Sequence, residues 1–461
     1  MQNQPQNITK KTALFVATFA AFLTPFMGSA LNVALPSIAR DFNADAISIN
    51  WIATAYILAT AIFLLPFGRI GDIAGRKKIF TYGIFLFTFS SLLCGLSPNT
   101  GLLITFRVLQ GISSAMIFGT GVAILTSVFP PGERGKALGI NVASVYTGLS
   151  AGPTLGGLLT QYFTWRSIFF VMVPLGLITL WVTISKLKVE WADAKGEKFD
   201  FRGMILYGLG LSSIMYGFSE FPGWMGYVFI LAGLLIIVAF GWCELHTEQP
   251  LFEIRLLSRS RVFAFSNLAA LIHYSATFGI GFMLSLYLQY IKGLEPHEAG
   301  FILVAQPVIM AVFSPFCGRL SDKIQPGILA SAGMAASSIG LFMLSFINEN
   351  TSLITLLLIL VLLGMGYALF SSPNTNAIMS SVERKYYGIA SGSVGTMRMV
   401  GQMFSMGVAL MLFSLFLGKV EIRPEYFIDF MRAMKVSFII FTVLCIGGVF
   451  ASLARGQLNN N

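Results

Sequence analysis

Residues 68–78 read Gly-Arg-Ile-Gly-Asp-Ile-Ala-Gly-Arg-Lys-Lys, a charged segment that joins two long uncharged stretches. Residues 47–67 before it and residues 79–97 after it contain no Asp, Glu, Lys or Arg. A helix needs about 20 apolar residues to cross the hydrocarbon core of a bilayer, so each stretch is long enough for one crossing. Gly68 and Gly75 permit a tight connection between the two helices. The pattern predicts two membrane helices joined by a short basic turn.

The same pattern extends along the chain of 461 residues, of which 56% are hydrophobic and 11% are charged. A soluble domain carries about twice that charge density. Further uncharged blocks cover residues 12–39, 108–132, 137–165, 167–185 and 350–382. These blocks lack the alternation of a barrel strand, and a backbone in lipid must satisfy its own hydrogen bonds, so we predict helices. The predicted fold class is an all-α integral membrane protein.

Fourteen spans are predicted, and two polar stretches, 186–202 and 244–261, divide them into groups of six, two and six. We therefore expect an N-terminal six-helix bundle in residues 1–185 and a C-terminal six-helix bundle in residues 262–461. Residues 186–261 would hold cytoplasmic linkers and two additional transmembrane helices. The predicted spans lie near 12–35, 48–68, 79–97, 101–129, 137–160, 166–185, 203–219, 224–243, 262–291, 298–318, 327–347, 352–381, 386–418 and 436–454.

The net charge of +10 follows the membrane topology and gives no reason to expect nucleic acid. With the N-terminus inside, 21 of the 30 Lys and Arg residues fall on the cytoplasmic side of the predicted spans. This is the excess that the positive-inside rule describes. Both termini are predicted to be cytoplasmic, in a multi-pass protein of the cell (inner or plasma) membrane.

The second half of the chain repeats the opening segment in part. Residues 318–322 read Gly-Arg-Leu-Ser-Asp, which shares Gly-Arg-x-x-Asp with residues 68–72 at the equivalent place in the other bundle. A duplication of this kind is common in transporters, where the substrate binds near the midplane between the two repeats.

Residues 68–78 resemble the cytoplasmic loop signature of the major facilitator superfamily, G-x-x-x-D-x-x-G-R-[KR]-[KR]. The resemblance implies two six-helix bundles, here with two extra central helices. Asp72 is expected to accept hydrogen bonds from a helix N-terminus of the opposite half, where the helix dipole favours an anion. Arg76 is expected to pair with nearby acids and to stabilise one state of the inner gate. The predicted gating residues of this signature and its repeat are Gly68, Asp72, Gly75, Arg76 and Asp322.

Two further motifs extend the resemblance to the fourteen-span drug:proton antiporter branch. Residues 107–111 read R-x-x-Q-G, and an arginine inside a membrane must face the protein interior or water. The family implies a role for Arg107 in proton coupling. Residues 148–157 read G-x-x-x-G-P-x-x-G-G, whose glycines four apart share one helix face and permit close packing. This antiporter motif favours export over import, with predicted conformational residues Gly148, Gly152, Pro153 and Gly156.

The chain departs from that branch in its first span. The branch usually has L-D-x-T-I-V-N-V-A-L-P, whereas residues 26–36 of this chain place Met27 where the acid stands. The predicted ionisable groups at membrane depth are then Arg107, His273 and Arg398. His273 is the side chain at depth whose intrinsic pKa lies near neutrality, so it is the second candidate for proton coupling, although a structural histidine is an alternative.

Polar and aromatic residues of the spans predict a substrate cavity. Because its ionisable groups are cationic, we expect neutral or anionic amphiphiles to be better substrates than cations. The predicted cavity residues are Asn32, Tyr56, Gln110, Asn141, Tyr287, Gln289, Gln306, Asn374, Asn376 and Arg398.

The leading hypothesis is a secondary active exporter of small amphipathic molecules that works by alternating access, coupled to protons, as a monomer in the lipid bilayer. One alternative is a proton-independent flippase or facilitator for lipids or organic anions, and another is a non-transporting receptor on a transporter fold. The four cysteines lie singly in apolar segments, so we predict no metal site and no cofactor. The predicted spans contain no acid pair or nucleophile–base set and the chain has no phosphate-binding loop, so neither an enzyme nor an ATP-driven pump is expected.

Overall fold

A computed structural model describes residues 4–321, 323–383 and 387–456, and these residues form helices and turns with no strand. The first eight helices are α1 (Gln4–Phe42), α2 (Ala46–Ala74), α3 (Arg76–Gly95), α4 (Thr100–Val128), α5 (Pro131–Tyr162), α6 (Arg166–Lys186), α7 (Phe201–Ser219) and α8 (Trp224–His246). The others are α9 (Arg255–Arg259), α10 (Arg261–Thr277), α11 (Gly279–Leu286), α12 (Pro296–Leu303), α13 (Ala305–Leu320), α14 (Pro326–Leu344), α15 (Leu353–Ser380), α16 (Tyr387–Phe416) and α17 (Phe427–Ala454). A π-helical turn, Tyr287–Ile291, extends α11, and a 3₁₀ turn, Pro424–Tyr426, precedes α17.

Twelve helical segments among the described residues are long and apolar enough to cross a membrane. Three of them are composite. Helices α10 and α11 with the π-helical turn form the segment Arg261–Ile291, α12 and α13 form Pro296–Leu320, and the 3₁₀ turn and α17 form Pro424–Ala454. Two further helices, the glycine-rich α5 and the shorter α7, are not among these twelve segments. The all-α membrane fold is therefore confirmed, while the described residues support twelve membrane segments where the sequence predicted fourteen.

Several helices begin at side chains that bond to their first turn. Asp45 accepts a hydrogen bond from the Ser48 amide (2.7 Å), and Asn99 accepts one from the Leu102 amide (2.9 Å). Such N-caps satisfy backbone donors that have no partner within the helix. They fix where α2 and α4 begin.

Glycines bring helices together at equivalent places in the two bundles. A β-carbon added to Gly111 of α4 would collide with the Tyr56 carbonyl oxygen of α2. One added to Gly364 of α15 would lie 2.7 Å from the Gln306 carbonyl oxygen of α13. Lipid tails are as apolar as Leu, so membrane helices depend on this close backbone approach for packing. The repeated pairing supports the duplication that residues 318–322 suggested.

Helices α7 and α8 form a hairpin that contacts both bundles. Added β-carbons on Gly217 and Gly233 would each lie 2.8 Å from a glycine carbonyl of the partner helix. The side of α7 that faces away from α8 lies near Ile62 of α2 and Gly407 of α16. The predicted domain limits at residues 185 and 262 stay a prediction, but α7 is in contact with a helix of each group.

We call the end of the helices that carries residues 68–78 and 187–200 the motif end, and the other the opposite end. The predicted topology places the motif end in the cytoplasm. In a variant without native cysteines, a cysteine at position 195, where Lys195 is exposed, should react with an impermeant maleimide only after the cells are permeabilised. The bilayer should block the reagent in intact cells.

A cysteine at position 350 is the matched control, because Asn350 is exposed in the loop before α15 at the opposite end. It should be labelled in intact cells. Labelling of position 195 in intact cells, with protection of position 350, would invert the predicted topology.

Candidate functional site

A cavity of about 170 Å³ lies between the two bundles. It holds more than a single ordered water would need, so it is large enough for part of a small molecule. Both bundles contribute to its walls, α1, α2, α4 and α5 from the first and α10, α11, α12, α13, α15 and α16 from the second. Its polar and ionisable lining residues are Thr24, Ser29, Asn32, Tyr56, Thr60, Arg107, Thr277, Gln306, Tyr367, Arg398 and Gln402.

The charged residues of this lining are two arginines, Arg107 and Arg398. No Asp or Glu is among the described residues that form it. The remaining walls are apolar or aromatic, with Phe118 and Phe278 on facing bundles. The cavity therefore has the character of a ligand pocket, with a few polar groups on an apolar surface.

Four of the ten predicted cavity residues line this cavity, together with Arg107 and Pro153 from other predictions. The sequence analysis did not predict Thr24, Thr60, Tyr367 or Gln402. Their signal was weak, because a single hydroxyl or ring in an apolar span is equally typical of helix packing. The four predicted residues in the lining are Asn32, Tyr56, Gln306 and Arg398.

The other six predicted cavity residues lie elsewhere, which corrects the prediction. Four of them join helices within one bundle. Gln110 donates to Ser91 (2.7 Å), Asn141 to the Ala17 carbonyl (3.1 Å), and Asn374 to the Ser266 carbonyl (3.0 Å). Asn376 donates to Ser321 near the motif end (3.0 Å). A polar side chain in a membrane helix must find a partner, and these four find it in a neighbouring helix or turn.

The last two, Tyr287 and Gln289, lie in the π-helical turn at the opposite end. The Tyr287 hydroxyl donates to the Asn348 carbonyl (2.7 Å), and the Gln289 amide donates to the Val33 carbonyl (2.9 Å). Gln289 thus joins the two bundles beyond the cavity.

Arg107 is buried within the first bundle and has neutral partners. Its Nε donates to the Ile52 carbonyl (3.2 Å), and its guanidinium hydrogen-bonds to Gln110. The guanidinium carbon lies 4.3 Å from the centre of the Tyr56 ring. The carbonyl, the side-chain amide and the face of the aromatic ring each stabilise a cation, but none of them carries a negative charge that would neutralise it. Arg107 therefore remains a net positive charge beside the cavity.

His273 is fully buried in α10 behind the cavity wall. Its ring lies 4.0 Å from the Phe370 ring and 5.1 Å from the Tyr367 ring, centre to centre. Among the described residues, neither ring nitrogen has a hydrogen-bond partner. An imidazolium at this position would need a partner that this conformation does not supply.

Arg398 joins the aromatic group around His273 to the cavity. The guanidinium carbon of Arg398 lies 5.8 Å from the centre of the Tyr274 ring, and Arg398 itself lines the cavity. The Tyr274 and Tyr146 hydroxyls approach the same Ser371 hydroxyl, at 3.5 and 3.3 Å. Because Tyr146 belongs to α5 and Ser371 to α15, this polar contact crosses from one bundle to the other.

Met27, which stands where the related branch has an acid, is fully buried and is not among the residues that line the cavity. Its α1 neighbours Gly28 and Ser29 do line it. A charge at position 27 would have to be accommodated in the apolar core of the first bundle.

The cavity is closed at the opposite end by close backbone contacts. An added β-carbon on Gly157 of α5 would lie 2.6 Å from the Pro296 carbonyl oxygen of α12, and one on Gly300 would collide with the Pro153 carbonyl. Ser285 also donates to the Asn32 carbonyl (2.7 Å). Together with the Gln289–Val33 hydrogen bond, these contacts join α1 and α5 to α11, α12 and the π-helical turn.

The motif end is open by comparison. The motif-end half of α5 exposes Ile140 and Val142, and the start of α16 exposes Ile389. A β-carbon added to Gly139 or Gly392 would meet no atom within 4 Å among the described residues. The same helix α5 is therefore tightly packed at one end and uncovered at the other. Among the described residues, the two bundles are therefore closely packed at the opposite end and less closely packed toward the motif end.

The predicted gating segment contacts the linker between α6 and α7. Arg76 pairs with Asp72 (2.7 Å) and with Asp193 of the linker (2.8 Å), and it donates to Ser127. The Glu190 carboxylate accepts from the Lys77 and Lys78 amides (2.8 and 3.1 Å), at the N-terminus of α3. An anion is stabilised at that position by the helix dipole and the free amides.

The contact expected for Asp72 with the opposite half stays a prediction, because residues 384–386, directly before α16, lie outside the described residues. The Asp72 carboxylate bonds to Arg76 of its own bundle. A β-carbon added to Gly68 would lie 3.9 Å from the Gly119 carbonyl oxygen, and Gly75 adopts a positive φ of 116°. Asp322, the equivalent of Asp72 in the repeat, lies outside the described residues.

The three glycines of α5 lie against the backbone of α1. Added β-carbons would lie 2.5 Å from the Phe22 carbonyl oxygen at Gly148 and 2.8 Å from the Ala30 Cα at Gly156. At Gly152 the added atom would collide with the Ser29 hydroxyl. Pro153, on the same helix, lines the cavity. The motif is therefore a packing surface whose edge reaches the cavity.

Two helical bundles around a central cavity that is closed at one end define a polytopic membrane transporter, not an enzyme. The sequence profile of the Major Facilitator Superfamily matches residues 17–406 and 266–457, so the chain belongs to that family. The family membership and the transporter class are thereby confirmed.

Curated relatives cover most of the chain. The chain is 32% identical to "Riboflavin transporter RibZ" of Clostridioides difficile (strain 630), over 87% of this chain and 87% of that protein. It is 30% identical to "Multidrug resistance protein Stp" of Mycobacterium tuberculosis, over 87% of this chain and 75% of that protein. It is also 30% identical to "Tetracenomycin C resistance and export protein" of Streptomyces glaucescens, over 82% of this chain and 71% of that protein.

Solved structures share the fold. A bacterial homologue of the human lysosomal transporter Spinster, in an inward-facing and unoccupied conformation, superposes with a TM-score of 0.69 at 16% identity. The match covers 97% of each chain. A peptide transporter in complex with alafosfalin superposes with a TM-score of 0.70 at 12% identity, over 94% of this chain and 93% of that one.

Substitution of Gly152 tests whether transport requires the close packing of α5 on α1. Gly152→Leu puts bulk between α5 and α1, where overpacking costs about 1–3 kcal/mol. We expect the variant to insert into membranes but to lose transport, because α5 can no longer hold its position beside the cavity. Transport into inverted vesicles, normalised to inserted protein, measures the effect.

Gly139→Leu is the control on the same helix, because an added β-carbon there meets open space. It should transport as the wild type does. Normal transport by Gly152→Leu would show that this contact has no part in the transport cycle.

Proposed function

We propose that the protein is a secondary active exporter of small amphipathic molecules. The observation that carries the proposal is the cavity between the bundles, closed at the opposite end and open to the motif end. A predicted cytoplasmic motif end would let substrates enter from inside the cell. The names of two relatives, a multidrug resistance protein and a resistance and export protein, support this direction of transport.

We also place the chain in the fourteen-span branch. Twelve segments satisfy the length and apolarity of a membrane crossing, and α5 and α7 run as long helices beside them. The antiporter motif of α5 belongs to that branch. Helices α7 and α8 would be its two additional spans.

Export requires the cavity to close at the motif end and to open at the opposite end. The contacts to be broken include the approach of α5 to α12, the hydrogen bonds from Ser285 and Gln289, and the Ala46 amide to Val420 carbonyl hydrogen bond (2.9 Å). At the motif end, Asp72 would exchange its bond with Arg76 for a helix N-terminus of the second bundle. Such rocking of one bundle against the other is the alternating access that repeat transporters use.

The cavity charge favours neutral or anionic substrates. Arg107 and Arg398 contribute two positive charges, and the described lining holds no carboxylate to neutralise them. A lipophilic cation would meet repulsion from both guanidinium groups, whereas an anionic group would gain a charge-assisted partner. Aromatic walls would hold the apolar part of the molecule.

A second candidate is a facilitator for organic anions that needs no proton. The same two arginines favour it, and the name of one relative indicates a flat heteroaromatic vitamin as cargo for that protein. The two candidates differ in their response to a pH gradient, which the tests below use.

For proton coupling we propose His273, with Arg107 as its counterpart in the first bundle. His273 is buried in this conformation and its ring nitrogens have no hydrogen-bond partner among the described groups, so it would be uncharged here. A state that admits water to the aromatic group would let it bind a proton. Each transport cycle would then move one proton in the direction opposite to the substrate.

Reconstituted protein should distinguish substrates by charge. In proteoliposomes we expect uptake of neutral and anionic amphiphiles, riboflavin included, and little uptake of bis-quaternary dications. Arg398→Gln should lower kcat/KM for the anions about tenfold or more, since a hydrogen bond to a charged group contributes about 1.5–3 kcal/mol. Arg432→Gln removes an exposed arginine that pairs with Asp429 and is the control. Electrogenic export of dications by the wild type would contradict the charge argument.

His273→Gln should separate the two candidate functions. If His273 carries the proton, the variant should transport at the same rate with and without an imposed pH gradient, while the wild type is accelerated by the gradient. His246→Gln is the control, because that histidine is exposed at the end of α8. A wild type that ignores the gradient would favour the facilitator. A His273→Gln variant that still responds would place the proton elsewhere.

A further inference from the structure

Two carboxylates lie together where α7 begins and α8 ends, far along the chain from the cavity residues. Glu244 is 1% exposed and lies in the last turns of α8. Its Oε2 accepts a hydrogen bond from the Phe252 amide (2.8 Å). Asp200 is the N-cap of α7, and its Oδ1 accepts from the Gly203 amide (2.9 Å). Each carboxylate is thus held in place through one of its two oxygens.

The other two oxygens face the same point. Glu244 Oε1 and Asp200 Oδ2 are both buried and have no partner among the described groups. A β-carbon added to Gly203 would collide with both of them. The two side chains are within hydrogen-bonding reach of each other, yet two ionised carboxylates cannot donate. A buried acceptor without a donor is costly, so this geometry requires a proton or a cation between them.

The surrounding charges do not supply a counter-ion. Among the described residues no Lys or Arg forms an ion pair with either carboxylate, and Arg255 donates to the Leu245 and Thr247 carbonyls. Arg202 of α7 and His246 of α8 are exposed. The other ionisable groups of the adjoining segments are Glu197 and Lys198 before α7, and Glu248, Glu253 and Arg255 after α8.

A metal ion fits the site less well than a proton. Divalent cations take about six or more oxygen ligands, and the described residues contain no group of three or more metal-binding side chains. A single proton shared between the two unpartnered oxygens satisfies both at once. We propose that Asp200 and Glu244 bind one proton between them, as a site in the α7–α8 hairpin.

The proton would link the hairpin to the gating segment. Asp200 ends the linker whose Glu190 and Asp193 bind the start of α3 and Arg76. Release of the proton would leave two like charges at the start of α7, where the linker is anchored. The site is independent of the proposed transport function, since it requires only that the folded protein bind a proton there.

Difference infrared spectroscopy and thermal unfolding of the purified full-length protein in nanodiscs test the site. Because the folded protein holds a proton that the unfolded chain releases, the melting temperature should fall as pH rises from about 5 to about 8. The C=O stretch of a protonated carboxylic acid should be present at the low end and lost at the high end. Glu244→Gln keeps a donor toward Asp200 and should remove both the band and the pH-dependent shift in melting temperature.

Glu248 is an exposed acid in the adjoining segment, so the Glu248→Gln variant should behave as the wild type. If Glu244→Gln does not fold, Asp200→Asn provides the same test from the other side. A band and a pH-dependent shift that persist in the folded variant would overturn the proposal. So would a wild type whose melting temperature at high pH rises with added sodium or calcium ions, because a cation would then occupy the site.

Discussion

The packing of α5 onto α1 through Gly148, Gly152 and Gly156 is the constraint on which the rest of the structure depends. In lipid, helices gain little from burying apolar side chains against each other, so stability comes from close van der Waals contact between backbones. The same helix continues to Pro153 and Gly157, which meet α12 of the second bundle. One helix therefore holds the first bundle together, forms part of the cavity wall and closes one end of the cavity.

The two ends of the molecule are held by different kinds of interaction, and the bundles meet closely at only one of them. At the opposite end the bundles meet through carbonyls, glycines and two side-chain hydrogen bonds, each of which contributes about 0.5–1.5 kcal/mol. At the motif end the contacts are ionic and involve the linker, as in the pairs of Arg76 with Asp72 and Asp193. Exposed ion pairs are also individually weak. Neither end is held by one strong interaction, which suits the proposed exchange of one closed end for the other.

The sequence predicted the helices well because a membrane crossing leaves a long uncharged run. It predicted the glycine surface of α5 because spacing by four places residues on one face. It was less informative about polar residues within spans. Asn32 and Gln306 line the cavity while Gln110 and Asn374 bond within their own bundles, and all four are amides in apolar segments. Which one faces a cavity depends on the rotation of its helix and on a partner far along the chain. The contact between Glu190 and the start of α3 also joins residues far apart in the chain, so the sequence alone did not predict it.

The missing acid of the first span is consistent with the rest of the site. Position 27 faces the core of the first bundle, so a carboxylate there would need a buried partner. The guanidinium group of Arg107 already contacts Ile52, Gln110 and Tyr56. Those partners are neutral, and so are the tyrosines around Arg398. Both guanidinium groups therefore keep their charge. Arg107 has two hydrogen-bond partners, whereas Nε of Arg398 is buried without one among the described groups. A substrate that carries an anionic group would supply the counter-charge that the described cavity residues do not. In this chain the charge balance of the cavity would be completed by the cargo, whereas an acid in the first span would complete it from within the protein.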